Sequence, residues 1–191
     1  MTRIIIFTIA VVFFSCDQKS KETYSSSSNN DDSTNIFHYD SLDYYYSPDR
    51  NDYKLSLLYE DRNLNIKDSL ARDIYFGEAP DKLSMDFVLK NLDSIGFIHK
   101  NIEKKDFPFV DSSILPVRGN DSIFAACLHE FRDLLIFNYK GKPIGMLKVC
   151  FHCSWTRMLM NDYYESFGRG LKYNLLEETI GKYRNKGDRK Y

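Results

Sequence analysis

The residues best suited to chemistry in this chain are three cysteines and two histidines in the segments CLHEF and CFHC. They are Cys127, His129, Cys150, His152 and Cys153. Two or three thiolates with an imidazole would fit tetrahedral zinc or a soft copper ion. The same thiols could instead form a disulfide or a redox couple, or stay buried and inert. The residue types alone leave these four kinds of chemistry open.

A second group of chemically capable residues carries charge. Arg132 and Asp133 are adjacent in the chain, and Lys148 lies in the apolar run that follows. Such a group could bind an anion or act as a catalytic ion cluster. More often it is a cross-strand ion pair beside apolar neighbours, which is worth about 1 kcal/mol or less when exposed. We favour the structural interpretation.

A predicted β-hairpin must bring the two cysteine segments together. In FRDLLIFNYKGKPIGMLKVCF, two apolar runs flank the short turn Lys140-Gly141-Lys142. Continuing the pairing from this turn places Cys150 opposite Arg132 or its neighbour, and Cys153 opposite His129 or its neighbour. Residues three apart in a regular strand point to opposite faces, so the strand must end and curl if both thiols are to meet. The register therefore predicts one neighbourhood for all three cysteines.

The remaining patterns predict an α+β fold, with a small antiparallel sheet that includes a central hairpin and helices packed on one face. Residues 134–137 are all apolar, which indicates a strand covered on both faces. The other expectations are a strand at 53–60, a helix at 81–96 ended by Gly96, an irregular connection at 97–122, a helix capped by Asn174, and a fraying tail at 184–191.

The N-terminus predicts export and lipidation. One arginine precedes the apolar run from Ile4 to Phe14, which is too short to span a membrane, and Ser15-Cys16 follows. We interpret residues 1–15 as a signal peptide that is cut before Cys16. Cys16 would then carry fatty acyl chains such as palmitate, and its partner would be the lipid bilayer. An ordinary signal peptide, with Cys16 incidental, is the alternative.

Residues 16–35 are predicted to be the lipidated cysteine and a disordered tether, and residues 36–191 to be a single globular domain. The segment DQKSKETYSSSSNNDDSTN has no aliphatic side chain, so it cannot bury enough apolar area to offset the entropy of ordering. A flexible chain of this length spans roughly 24 Å. The tether would hold the domain near the membrane without fixing it there.

Composition and motifs exclude several classes of function. The formal net charge is −1, so there is no basic excess to hold nucleic acid. The chain has no GxSxG, no GxxxxGK[ST], no GxGxxG and no HExxH, because His129-Glu130 is followed by Phe-Arg-Asp. These absences argue against the common catalytic classes.

The segments CLHEFRDLLIF, GMLKVCFHC and SFGRGLKYNLL resemble a group of small uncharacterised lipoproteins from the Bacteroidota. The resemblance covers roughly the last third of the chain, and the region after the second Cys of CFHC departs from the group's pattern. The matching positions are Cys127, Phe131, Arg132, Asp133, Phe137, Gly145, Lys148, Cys150, Phe151, Cys153, Phe167 and Gly168. The resemblance implies that the three cysteines and Arg-Asp form one shared set, and it implies no reaction type.

Together these patterns predict a membrane-tethered lipoprotein of the cell envelope with a non-catalytic binding or structural domain. One alternative is a metal- or thiol-dependent site at Cys127, Cys150 and Cys153, with His129 or His152 as a further ligand to zinc or copper. A second alternative is a surface protein that neutralises a toxin by occluding it.

Overall fold

A computed structural model describes residues 38–48, 52–60, 63–77, 85–114, 128–160, 163–166 and 172–188, with the backbone alone at 52–55, 160 and 163–166. All of these belong to one compact unit, Ser33–Tyr191. The expected signal peptide and tether, at 1–35, lie outside the described residues. No helix in the described ranges is both long enough and apolar enough to cross a membrane.

The described residues form an antiparallel sheet with helices, which confirms the predicted α+β class. The six strands are β1 (Ser41–Tyr46), β2 (Ile98–Asn101), β3 (Asp133–Tyr139), β4 (Lys142–Cys150), β5 (Trp155–Met160) and β6 (Tyr163–Ser166), in the order β2-β1-β3-β4-β5-β6. The helices are α1 (Asp52–Glu60), α2 (Ile66–Tyr75), α3 (Met85–Asn91), α4 (Phe107–Ile114) and α5 (Tyr173–Gly181). Short 3₁₀ turns occupy Asp93–Ile95 and Lys104–Asp106.

Helices pack against both faces of the sheet, so the expectation of helices on one face is wrong. Side chains alternate along a strand, so neighbours in β3 enter different layers. Leu135 and Phe137 pack in the layer that contains α4 and α5. Leu134 and Ile136 pack in the layer that contains α1, α2 and α3. The unbroken apolar run of β3 is the sequence counterpart of this double coverage.

The hairpin of β3 and β4 has the predicted register over most of its length. Asp133 lies opposite Val149, and a bulge after Phe137 shifts the pairing by one residue near the turn. Lys140 and Gly141 form that turn with φ values of 52° and 71°. Left-handed conformations at both central residues match the twist of a tight hairpin.

Residues 53–60 form helix α1, so the strand predicted there is wrong. The alternation that suggested a strand would have buried Leu57 and Tyr59, but these side chains are 46% and 55% exposed. Leu58, which interrupted the alternation, is buried in the core and is only 5% exposed. A short segment with this mixture of apolar and polar residues suits either element, and packing against α2 decides for the helix.

The other element predictions have mixed outcomes. Helix α3 lies inside the predicted range but ends at Asn91, and Gly96, with a φ of 97°, ends the 3₁₀ turn Asp93–Ile95 that follows. The stretch expected to be irregular contains β2 and α4. Helix α5 follows Lys172, so Asn174 lies inside the helix and is not its cap.

Candidate functional site

Asp133 is the centre of a buried ion cluster on the α5 side of the sheet. Its Oδ1 accepts hydrogen bonds from the Tyr44 hydroxyl at 2.5 Å and from Arg184 Nη2 at 3.0 Å. Arg184 Nε also donates to the Tyr44 oxygen at 2.8 Å. Burial, followed by the charge of Asp133, raises the pKa of Tyr44. We call these three residues the Asp133 cluster; they join β1 and β3 to the segment after α5.

Two cationic side chains lie on the opposite side of the sheet. Lys148 and Arg157 pair across β4 and β5, and both donate to the carbonyl oxygen of Gly77, at 3.0 and 3.1 Å. Both charges lie over the ring of Phe131, at 4.8 and 5.6 Å from its centre. Gly77 follows α2, so the cations complement the negative end of the helix dipole. This cation pair holds α2 against the sheet.

The structure separates the three residues expected to form one ion cluster. Asp133 and Lys148 project from opposite faces of the sheet, because each follows the alternation of its strand. Arg132 pairs instead with Glu130, with 2.6 Å between Nη2 and Oε2. Each residue therefore takes part in a different contact, and that of Arg132 is local to the segment before β3.

The CFHC segment forms a turn that treats its two cysteines differently. Cys150 is a free thiol with 2% exposure, and its sulfur accepts the backbone N–H groups of Cys153 and Glu130. Burial raises the pKa of Cys150 despite these donors. Cys153 is only partly buried and is not a free thiol, and its Sγ lies 3.4 Å from the carbonyl oxygen of Leu128. Strand β4 ends at Cys150 and the chain turns before β5, but the two thiols do not meet, because Cys150 is free.

The two histidines of the predicted neighbourhood have separate environments. His129 stacks on Trp155 with 4.7 Å between ring centres and 6° between planes. Burial, followed by the charge of Arg157, lowers the pKa of His129, and its Nδ1 has no hydrogen-bond partner within the part of the chain that the structure describes. His152 is exposed. Across the described ranges no three His, Cys, Asp or Glu side chains converge as a metal site; Cys127 and Cys16 lie outside these ranges.

The residues that follow α5 contribute to the buried polar network, which no sequence pattern indicated. Arg184 belongs to the Asp133 cluster, and the backbone N–H of Asn185 and the carboxylate of Asp188 both bind the Tyr46 hydroxyl, at 2.9 and 2.7 Å. The expectation that the tail frays is therefore wrong for 184–188. The sequence of this segment resembles a polar, unstructured tail, because its hydrogen-bond partners lie in β1 and β3, far away in the chain.

Asp106 is a further buried carboxylate that sequence analysis missed. Lys182 Nζ lies 2.5 Å from its Oδ1, and the Tyr183 hydroxyl donates to its Oδ2. Burial alone would raise the pKa of Asp106, but the hydrogen bonds from Lys182 and Tyr183 and the nearby lysine charges outweigh it and lower the pKa. The contact fastens the start of α4 to the end of α5.

Comparison with known proteins adds no identification: no protein-family profile, no curated protein and no solved structure matches this chain.

Proposed function

We propose that this protein is a membrane-tethered lipoprotein of the cell envelope, with a domain that binds or supports other components without catalysing a reaction. The proposal rests on the leader at 1–15, on Cys16 at the cleavage position, and on the apolar-poor tether that follows. The lipid bilayer would be its partner through acylated Cys16. The resemblance to small lipoproteins of the Bacteroidota points the same way.

The non-catalytic part of the proposal is supported by how the domain uses its buried charges. Asp133 is bound by Arg184 and a tyrosine, and Lys148 and Arg157 bind a helix-end carbonyl. In catalytic sites, perturbed charges typically line a cleft where a substrate can reach them. Here the same residue types join helices, strands and the C-terminal segment. This use of charge in internal contacts is the observation that carries the non-catalytic part of the proposal.

Mass spectrometry of the mature N-terminus tests the anchor. The full-length protein, expressed in a bacterium that processes lipoproteins, should remain with the membrane until detergent is added. Its first residue should be Cys16 carrying fatty acyl chains. The matched control is Cys16→Ser, which should lose the acyl mass and leave the membrane fraction. An intact Met1, or an unmodified Cys16 in the soluble fraction, would overturn the anchor.

Elemental analysis of the same detergent-purified protein tests the non-catalytic domain against the metal alternative. We expect less than stoichiometric zinc or copper. One metal ion per chain, lost when Cys150 or Cys153 is replaced by alanine, would overturn the proposal in favour of a metal-dependent site.

A further inference from the structure

We infer that Cys153 is joined by a disulfide to Cys127, and that the fold keeps Cys150 reduced beside this bond. The inference rests on the proposed function in two respects, because export supplies the oxidising surroundings in which such bonds form and acylation removes Cys16 as a possible partner. The assignment uses the two cysteines of the CFHC turn and the number of cysteines in the chain. It concerns a covalent link and leaves the ligand of the domain open.

Cys150 is excluded from the disulfide by its environment. Its thiol is free, almost fully buried and bonded to two backbone N–H groups. Burial raises the pKa of Cys150, so little thiolate is available for exchange with an external disulfide. Although Cys150 lies only three positions before Cys153, the two sulfurs therefore do not form a bond with each other.

Cys127 is the partner that remains for Cys153. The chain has four cysteines, of which Cys150 is free and Cys16 is the proposed acylation site. Cys153 is not a free thiol, and its Sγ lies 3.4 Å from the backbone oxygen of Leu128. Leu128 is bonded directly to Cys127 in the chain, and successive Cα atoms are only about 3.8 Å apart. The sulfur of Cys153 is thus held beside Leu128, the residue that follows Cys127 in the sequence.

The bond forms by exchange with a protein disulfide of the exporting compartment. A thiolate of Cys127 or Cys153 attacks a donor sulfur, and the second thiolate then displaces the donor from the mixed disulfide. One S–S bond forms in this chain and one breaks in the donor, which leaves with two electrons and two protons as a dithiol. The product links the chain before β3 to the turn after β4 and closes a covalent loop around the hairpin.

Alkylation with iodoacetamide, followed by peptide mapping, tests the assignment on full-length protein purified in detergent. The native protein should take no label at Cys127, Cys150 or Cys153. Denaturation without reductant should label Cys150 alone, and denaturation with reductant should label all three. A Cys127–Cys153 cross-linked peptide should be found before reduction. Label on both Cys127 and Cys153 without reductant, or a cross-link that contains Cys150, would overturn the inference.

Variants sharpen this test. Cys127→Ala should release Cys153 for labelling without reductant, whereas the matched control Cys150→Ala should leave the cross-linked peptide unchanged. Because Cys127→Ala could impair folding, the cross-link in the Cys150→Ala protein serves as an independent readout. Label on Cys16 reports separately on lipidation, so a failure of the anchor and a failure of the disulfide give different peptides.

Discussion

The carboxylate of Asp133 is wholly buried, and Tyr44 and Arg184 compensate its charge by contacting it. Removing one partner of a buried ion pair leaves the other charge without compensation, which typically costs about 3–5 kcal/mol. We therefore expect Asp133→Asn to lower the free energy of unfolding by about that amount. Urea denaturation followed by circular dichroism measures the change.

Glu177→Gln is the matched control for this substitution, since it removes a different carboxylate from the same arginine. The Glu177 and Arg184 groups are 3.8 Å apart and Glu177 is partly exposed, so the expected loss is about 1 kcal/mol or less. Equal losses for Asp133→Asn and Glu177→Gln would contradict the assignment of Asp133 as the principal partner of Arg184.

At the scale of single elements, the hairpin turn depends on a glycine. Gly141 has a φ of 71°, and a Cβ added there would meet nothing within 4 Å, so the cost of Gly141→Ala is conformational alone. The left-handed region costs an L-residue about 1–2 kcal/mol. We expect that loss in thermal or urea unfolding. Gly181→Ala, in α5 and equally uncrowded, should instead be neutral or stabilise the fold by about 0.5–1 kcal/mol. A stabilising Gly141→Ala would contradict the turn geometry.

The contact between α4 and α5 should make stability depend on pH. A carboxyl whose pKa is lower in the folded than in the unfolded state stabilises the fold above its unfolded pKa, and this contribution is lost as the pH falls through the folded pKa. Asp106 has a lowered pKa, so we expect its contribution to be complete above about pH 5 and to disappear in more acidic solution. Urea unfolding of wild type and Asp106→Asn between neutral and acidic pH measures this contribution.

Asp106→Asn should be less stable than wild type at neutral pH by about 1–3 kcal/mol, because an amide replaces a charged acceptor. The difference between the two proteins should shrink as the pH falls. A difference that stays constant down to the acid limit would show that the charge of Asp106 is not what stabilises the contact.

The elements that could be predicted from the sequence are those whose partners lie close to them in the chain. The register of β3 and β4 follows from one turn, and Gly96 ends the helical segment that comprises α3 and its 3₁₀ turn, since both signals are local. Strand β1 was not predicted, because its three consecutive tyrosines show no alternation by residue type, although Tyr44 and Tyr46 are buried and Tyr45 faces the other layer. The choice between strand and helix at 53–60 depended on packing with α2, which the segment itself does not encode.

At the scale of the whole molecule, the proposed Cys127–Cys153 disulfide predicts a stability that depends on redox state. A disulfide of this loop size contributes typically about 2–4 kcal/mol, mainly by restricting the unfolded chain. Cys153→Ala should lower the free energy of unfolding by about that amount in non-reducing thermal or urea denaturation. Reductant should lower the free energy of unfolding of the wild-type protein to the same value. Cys150→Ala keeps the cross-link, so its stability should still respond to reductant. An unfolding curve of wild type that is identical with and without reductant would contradict the bond.

The distant partners of the candidate site could not be predicted from the sequence. Cys150, Arg132 and Asp133 stood out by type and spacing, and the register correctly placed the CFHC turn beside the chain that enters β3. Tyr44 and Arg184, the partners of Asp133, lie in segments with no motif, and so does Gly77, the partner of Lys148. Only the completed sheet brings these segments together, so the sequence indicated the chemical groups without their contacts.

The position of β1 has a consequence for the order of folding. Strand β1 is an inner strand between β2 and β3, and its partner β3 lies about ninety residues later in the chain. Pairing across so long a stretch is slow, because the entropy of closing the loop is lost before any contact is gained. The β3–β4–β5 meander can assemble early from neighbouring segments, while the N-terminal strand joins late. Under the export proposed above, this late step would leave the sheet incomplete during passage through a translocation pore, which requires an unfolded chain.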